Sequence, residues 1–171
     1  MIRAALITVS TKGAAGERID ESGPAMREAL IGAGMDVIHA ALVPDGIEPV
    51  QAAIRTAIGH GANLILTSGG TGLSPNDLTP EATHGILDRE VAGIAEALRW
   101  RSLEKTPHGM LSRGIAGNIG TTLVVNLPGS PRACRESLNV LIPVLPHAIE
   151  LLAGESGEGG HATGRRPSSA G

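Results

Sequence analysis

Apolar residues in this chain fall into short runs separated by stripes of helical period. Residues 4–10 (AALITVS) are apolar almost throughout, which predicts a strand covered on both faces. Residues 11–23 are polar, contain Gly13 and Gly16, and predict a loop. Gly23-Pro24 then opens a helix, proline suiting the first helical position. Ala25, Met26, Ala29, Leu30 and Ala33 share one side of it, and Gly34 is placed to end it. A second strand, 37–43, leads into Pro44-Asp45-Gly46. Pro49 starts the next helix, with Val50, Ala53, Ile54, Ala57 and Ile58 inward, before Gly59 and Gly61. A third strand, 63–66, runs into TSGGTGLSPND, after which Thr79-Pro80 opens another helix. Strand and helix alternate, which predicts a mostly parallel sheet with helices on both faces, a three-layer α/β sandwich with right-handed crossovers.

The second half is less regular. Ala82, Ile86, Val91, Ile94 and Leu98 form an apolar stripe, but Gly85 and Gly93 favour two shorter helices over one. Residues 100–113 are the least readable; Thr106-Pro107 opens a short helix ending near Ser112-Arg113. Residues 115–119 and 123–127 read as two extended segments joined by a tight turn at Gly120. The second of these is a core strand that feeds Pro128-Gly129-Ser130-Pro131 and a last helix with Ala133, Leu138, Leu141 and Ile142 inward. Pro143 and Pro146 forbid an unbroken helix to Leu152. Nothing apolar recurs from Gly154 onward, so the expected organisation is one domain over 1–153 and a disordered tail over 154–171.

Composition narrows the function classes. The chain has 171 residues, 42% of them hydrophobic, yet no Phe, no Tyr and one Trp, Trp100. The core must be built from Ala, Leu, Ile and Val. No aromatic platform exists for stacking single-stranded bases, and a net charge of −3 supplies no cationic footprint for nucleic acid. The single Cys134 cannot form an internal disulfide and reads as a small buried thiol. No leader peptide is recognisable and no apolar run is expected to reach transmembrane length, so the expectation is a cytoplasmic protein without a membrane partner. The six histidines form no pair at ligand spacing on one predicted element.

The candidate chemistry lies in the stretch after the third strand. A strand, a glycine-rich turn and a helix start present backbone N–H groups to an anion. Gly69, Gly70 and Gly72 allow the backbone positive φ and close approach to a ligand, and Asp77 stands where a phosphate site would need a metal-binding carboxylate. A connecting loop would use the same residue types. Loops leaving the strands near Ser68 and near Leu127 share one rim if both strands are parallel, and ligands of open parallel sheets bind at that rim.

Four ordered motifs carry a resemblance. They are Thr67-Ser68-Gly69-Gly70-Thr71-Gly72 with Asp77-Leu78-Thr79-Pro80-Glu81-Ala82-Thr83, then Asn126-Leu127-Pro128-Gly129-Ser130-Pro131, Leu111-Ser112-Arg113, and Val43-Pro44-Asp45-Gly46. Together they resemble the MogA/MoaB family of molybdenum-cofactor biosynthesis, to which the gephyrin G domain belongs, over residues 4–152. The resemblance implies a homotrimeric molybdopterin adenylyltransferase, in which ATP and molybdopterin give adenylyl-molybdopterin and pyrophosphate with Mg2+. It implies catalytic and metal-binding roles for Asp45 and Asp77. It implies a phosphate and nucleotide loop at Gly69, Gly70, Thr71 and Gly72, pterin-phosphate binding at Ser112 and Arg113, and a second loop at Pro128, Gly129 and Ser130. Hand-over of the product to a molybdenum insertase is implied in the same way. Read without the resemblance, Asp45 is also an ordinary Pro-Asp-Gly turn acid, Asp77 a capping or turn acid, Thr79 a helix cap, and Arg113 a solvated surface charge. Two departures from the family pattern stand out: Thr11-Lys12 follows the first-strand serine, and Asn76 precedes Asp77 where an arginine is common. The alternatives are a non-catalytic molybdopterin carrier or scaffold module of the same fold, and a CinA-like nucleotide-processing domain.

Overall fold

The computed structural model describes residues 1–154. The expected tail lies outside the described residues, apart from Gly154, whose positive φ (73°) closes the last helix. Six strands form one sheet in the order β2-β1-β3-β6-β5-β4. β1 (Arg3–Val9), β2 (Asp36–Val43), β3 (Leu64–Ser68) and β6 (Thr122–Leu127) are mutually parallel. β5 (Ala116–Ile119) and the two-residue β4 (Arg89–Glu90) run antiparallel at one edge. β5 and β6 meet through the two-residue turn expected at Gly120, where φ is +57°.

The period-2 alternation of the central strands sorts their side chains into two cores. Leu6, Leu64, Leu66, Leu123, Val125 and Leu127 face one side with helices α2 (Ser22–Gly32), α5 (Ala92–Leu103), α6 (Pro131–Leu141) and α7 (Leu145–Ala153). Ala5, Ile7, Val9, Ile65 and Val124 face the other, beneath α3 (Ile47–Gly59) and α4 (Thr79–His84). This is the three-layer α/β sandwich. Each fully buried Leu or Ile contributes about 1.5–3 kcal/mol of transfer free energy, and with no Phe or Tyr to share the load the core depends on many such residues. Trp100 takes no part in it, being 71% exposed.

Several elements differ from expectation for local reasons. The loop 11–23 contains a one-turn helix, α1 (Thr11–Ala14), because the Ser10 hydroxyl caps it by accepting from the Gly13 N–H at 3.0 Å. α2 starts earlier than Pro24: the Asp20 carboxylate accepts from the N–H groups of Ser22 and Gly23, both at 3.0 Å, and fixes the helix start there. The stripe 82–98 is divided into α4 and α5 as Gly85 and Gly93 suggested, with β4 inserted between them. The short helix expected after Thr106 is a 3-10 turn over Pro107–Leu111, capped by the Thr106 hydroxyl. The run Pro131–Ala153 corrects one expectation, since its 23 residues are long and apolar enough by length and composition to cross a membrane. Here it is broken at residues 142–144, as Pro143 requires, and Leu138, Leu141, Leu145 and Ile149 belong to the core.

Candidate functional site

Because β3 and β6 are parallel, the loops after Ser68 and Leu127 leave the sheet at the same rim. They meet there. A Cβ on Gly129 would stand 3.3 Å from the Gly69 Cα, and the Gly69 N–H donates to the Leu127 carbonyl at 3.2 Å. The Ser22 hydroxyl, at the start of α2, donates to the Gly129 carbonyl at 2.8 Å. A cleft of about 350 Å³ opens over this junction, lined among others by Asp45, Asp77, Ser68, Gly69, Gly70, Gly129 and Ser130. Both candidate aspartates therefore open on one cavity.

The glycine turn is built tightly into the molecule. Gly69 has φ +100°, and a Cβ there would overlap the Val9 carbonyl; Gly70 has φ +65°, and a Cβ there would overlap the Thr79 hydroxyl and lie 3.3 Å from Asp45 Oδ1. The carbonyls of the turn face protein donors. Gly70 O accepts from the Thr79 N–H at 3.1 Å, Thr71 O from the Arg113 N–H at 2.9 Å, and Gly72 O from Arg113 Nε at 2.7 Å. A trans peptide sets N–H opposite C=O. The N–H groups of Thr71 and Gly72 accordingly donate to no acceptor among the described residues. Amides left over beside paired carbonyls are the donors that an anion nest uses. Gly69 is the exception within the expected loop, since its N–H is already bonded to Leu127.

Each aspartate has one oxygen engaged by its own surroundings. Asp45 Oδ2 accepts from the Thr11 N–H at 2.9 Å and from the Thr11 hydroxyl at 2.6 Å. Asp77 Oδ2 accepts from the Ser74 N–H at 3.0 Å, closing the Ser74–Asp77 turn. So Asp77 is a turn acid and a cleft acid at once. The second oxygen of each makes no hydrogen bond among the described residues and fits a ligand role. Among those residues no three His, Cys, Asp or Glu side chains gather into a metal cage. Mg2+ does not need one, because one or two carboxylates with phosphate and water oxygens satisfy it.

The other expected site residues fall differently. Arg113 is the buttress of the glycine turn: besides Gly72 O, its guanidinium donates to the Asp77 carbonyl and pairs with Glu81. That bond to Arg113 holds the Glu81 carboxyl below the usual range. Each of its three guanidinium nitrogens makes one of these bonds, so Arg113 is more than a solvated surface charge. Ser112 lines a separate small depression of about 20 Å³ with Asn126, Pro128 and Ser137. Thr71 and Gly72 do not line the cleft itself. The Pro128 carbonyl accepts from Ser68 Oγ at 2.9 Å and from Cys134 Sγ at 3.0 Å. Cys134 is fully buried, and burial pushes its thiol pKa up, so it is a packing residue. Thr79 caps nothing; its buried hydroxyl has no partner among the described residues. Behind the turn, buried Asn126 donates to the Thr67 and Thr83 hydroxyls, both at 2.9 Å, tying β3, β6 and α4 together.

Sequence reasoning missed Arg18, Asp20, Glu21 and Ser22, which line the same cleft. Asp20 accepts also from the Thr8 hydroxyl at 2.8 Å. The order Asp20-Glu21-Ser22-Gly23-Pro24 is a helix-start signal that could have revealed it.

Residues 5–147 match the family described as "Probable molybdopterin binding domain". The crystal structure of the molybdopterin biosynthesis enzyme MoaB from Thermus thermophilus superposes with a TM-score of 0.85 at 52% identity, covering 90% of this chain and 98% of that one. A molybdopterin adenylyltransferase of Helicobacter pylori strain J99 is 31% identical over 156 residues, 90% of this chain and 89% of its own length. A molybdenum cofactor biosynthesis bifunctional protein of Chlorobaculum tepidum is 42% identical over 161 residues, 94% of this chain; the chain spans half of that protein's length.

Proposed function

This chain belongs to the molybdopterin-binding domain family, and from that premise we propose that it is a molybdopterin adenylyltransferase of molybdenum-cofactor biosynthesis. The reaction transfers AMP from ATP to the terminal phosphate of molybdopterin. A pterin phosphate oxygen forms a bond to the α-phosphorus, the bond from that phosphorus to the bridging oxygen breaks, and pyrophosphate leaves with the electron pair. Such a step asks the protein to align two polyanions and offset their repulsion.

The observation that carries the proposal is the convergence of Asp45, Asp77 and the Gly69–Gly70 turn on one cleft. The Gly69–Gly70 turn, which lines the cleft, lies against the phosphates with Thr71 and Gly72 continuing the loop behind it, and Gly129 and Ser130 border the nucleotide. Asp45 and Asp77 are the residues that would hold Mg2+, which would supply charge neutralisation at the phosphates when bound. Thr11 and Ser74 keep the two carboxylates facing the cleft.

The homotrimer belongs to the same proposal. Val91, Ile94, Ala97, Val144 and Leu151 line an apolar groove between α5 and α7 that a second copy of the chain would cover. The bifunctional relative supports hand-over of the product to a second activity, which we assign to a molybdenum insertase.

The test is incubation with molybdopterin and Mg-ATP, following pyrophosphate release, with the mass in solution measured by light scattering. Wild type is expected to release pyrophosphate. Asp77→Asn and Asp45→Asn are expected to abolish release with circular dichroism unchanged. Parental rates in both variants would remove the assignment, and a monomeric mass would remove the trimer.

A further inference from the structure

The cleft is rich in acid and poor in base. Asp20, Glu21, Asp45 and Asp77 line it, and among the described lining residues Arg18 is the one cation. The arginine that the resemblance assigned to phosphate, Arg113, is bound behind the turn to Gly72, Asp77 and Glu81. The position before Asp77 is Asn76, which carries no charge. Asp20 accepts from the Thr8 hydroxyl and from the Ser22 and Gly23 N–H groups. Among the described residues Arg18 makes no ion pair.

Its neighbour is equally unusual. Ile19 is 84% exposed and lines the same cleft, as does Leu42, 38% exposed. An isoleucine lining a polar cavity offers apolar area on which a ring can pack. The chain has no Phe or Tyr, and Trp100 lies elsewhere, so aliphatic side chains are what this cleft offers to a ring.

We propose that Arg18-Ile19 is the substrate-gripping segment of the cleft, Arg18 binding the phosphate and Ile19 covering the heterocycle of a ring-bearing phosphate ester. The inference rests on the adenylyl-transfer reading and names residues that reading does not use. A guanidinium spans two phosphate oxygens with paired donors, which an ammonium cannot reproduce. The segment supplies the positive charge that Asn76 and the already engaged Arg113 do not.

The experiment measures binding by calorimetry at low salt, using Mg-ATP, Mg-tripolyphosphate and molybdopterin as separate probes, on wild type, Arg18→Gln, Arg18→Lys and Ile19→Ser. Arg18→Gln is expected to weaken tripolyphosphate about tenfold, and Arg18→Lys about threefold. Ile19→Ser is expected to leave tripolyphosphate unchanged and to weaken one ring-bearing probe about threefold or more. Loss against ATP assigns the ring to adenosine; loss against molybdopterin assigns it to the pterin. If wild type releases pyrophosphate while either Arg18→Gln or Ile19→Ser binds all three probes like wild type, the inference is overturned and the proposed function stands. If wild type binds none of the probes, both are overturned.

Discussion

Thr11 grips Asp45 in both directions. Its N–H and its hydroxyl both donate to Asp45 Oδ2, at 2.9 and 2.6 Å, and the Asp45 N–H donates back to the Thr11 hydroxyl at 3.1 Å. The residue that departs from the family pattern after the first strand thus holds a candidate catalytic carboxylate in place. Thr11→Val keeps the shape of the side chain and removes the hydroxyl bonds. Because these bonds are solvent-exposed, the stability change is expected to stay below about 1 kcal/mol. Pyrophosphate release is expected to fall about tenfold as the carboxylate loses its fixed orientation. Thr11→Ser is expected to retain most of the rate. Steady-state kinetics with thermal melts on the same samples check both.

Gly70 and Thr79 form a second coupled pair. Gly70→Ala forces an L side chain into φ +65° and drives its Cβ into the Thr79 hydroxyl. The expected loss is about 3 kcal/mol from backbone strain and overlap together. Adding Thr79→Ala removes the clashing oxygen but not the strain. A double-mutant cycle by urea unfolding should therefore show a favourable coupling of about 1 kcal/mol or more.

Arg113 is expected to behave as a support for the turn. Arg113→Lys cannot reach Gly72 O, Asp77 O and Glu81 together, so stability should drop by about 2 kcal/mol and KM for ATP should rise. Tripolyphosphate binding that survived Arg113→Lys unchanged, with an unchanged melting temperature, would contradict this role.

The Glu81–Arg113 pair also predicts an acid response. The bond from Arg113 keeps the Glu81 carboxyl below its ordinary range, so the folded state binds its proton less readily than the unfolded chain does. The pair's contribution is present above the ordinary glutamate range and is lost as pH falls through the depressed value. It is partly exposed, so the effect is modest. Wild type is expected to lose stability in that acid window more steeply than Glu81→Gln. Urea titrations at stepped pH compare the two slopes.

Much of the fold was legible because its signals are local. The apolar runs of β1, β3 and β6, the proline starts of α4 and α6 and the break at Pro143 each declare themselves within a few residues. So did the shared rim, which follows from parallel strands. What could not be read depends on distant partners. Thr11 and Asp45 are 34 positions apart, and Arg113 reaches back 41 positions to Gly72, so no spacing rule announces either contact. Asp77 was legible as both turn acid and cleft acid, but only coordinates let one side chain hold both roles. β4 escaped because two exposed residues carry no periodicity.

The walls of the cleft are drawn from four stretches, within 8–22, at Leu42 and Asp45, at 68–70 with Asp77, and at 129–131, with β6 lying between β3 and β5. On the ribosome this means that the strand filling the slot between β3 and β5, and the wall at 129–131 that follows it, emerge after the other three walls. Domains fold as units during synthesis, and here the cleft is complete only once the last wall has emerged. A chain truncated before that point would leave the facing edges of β3 and β5 unpaired.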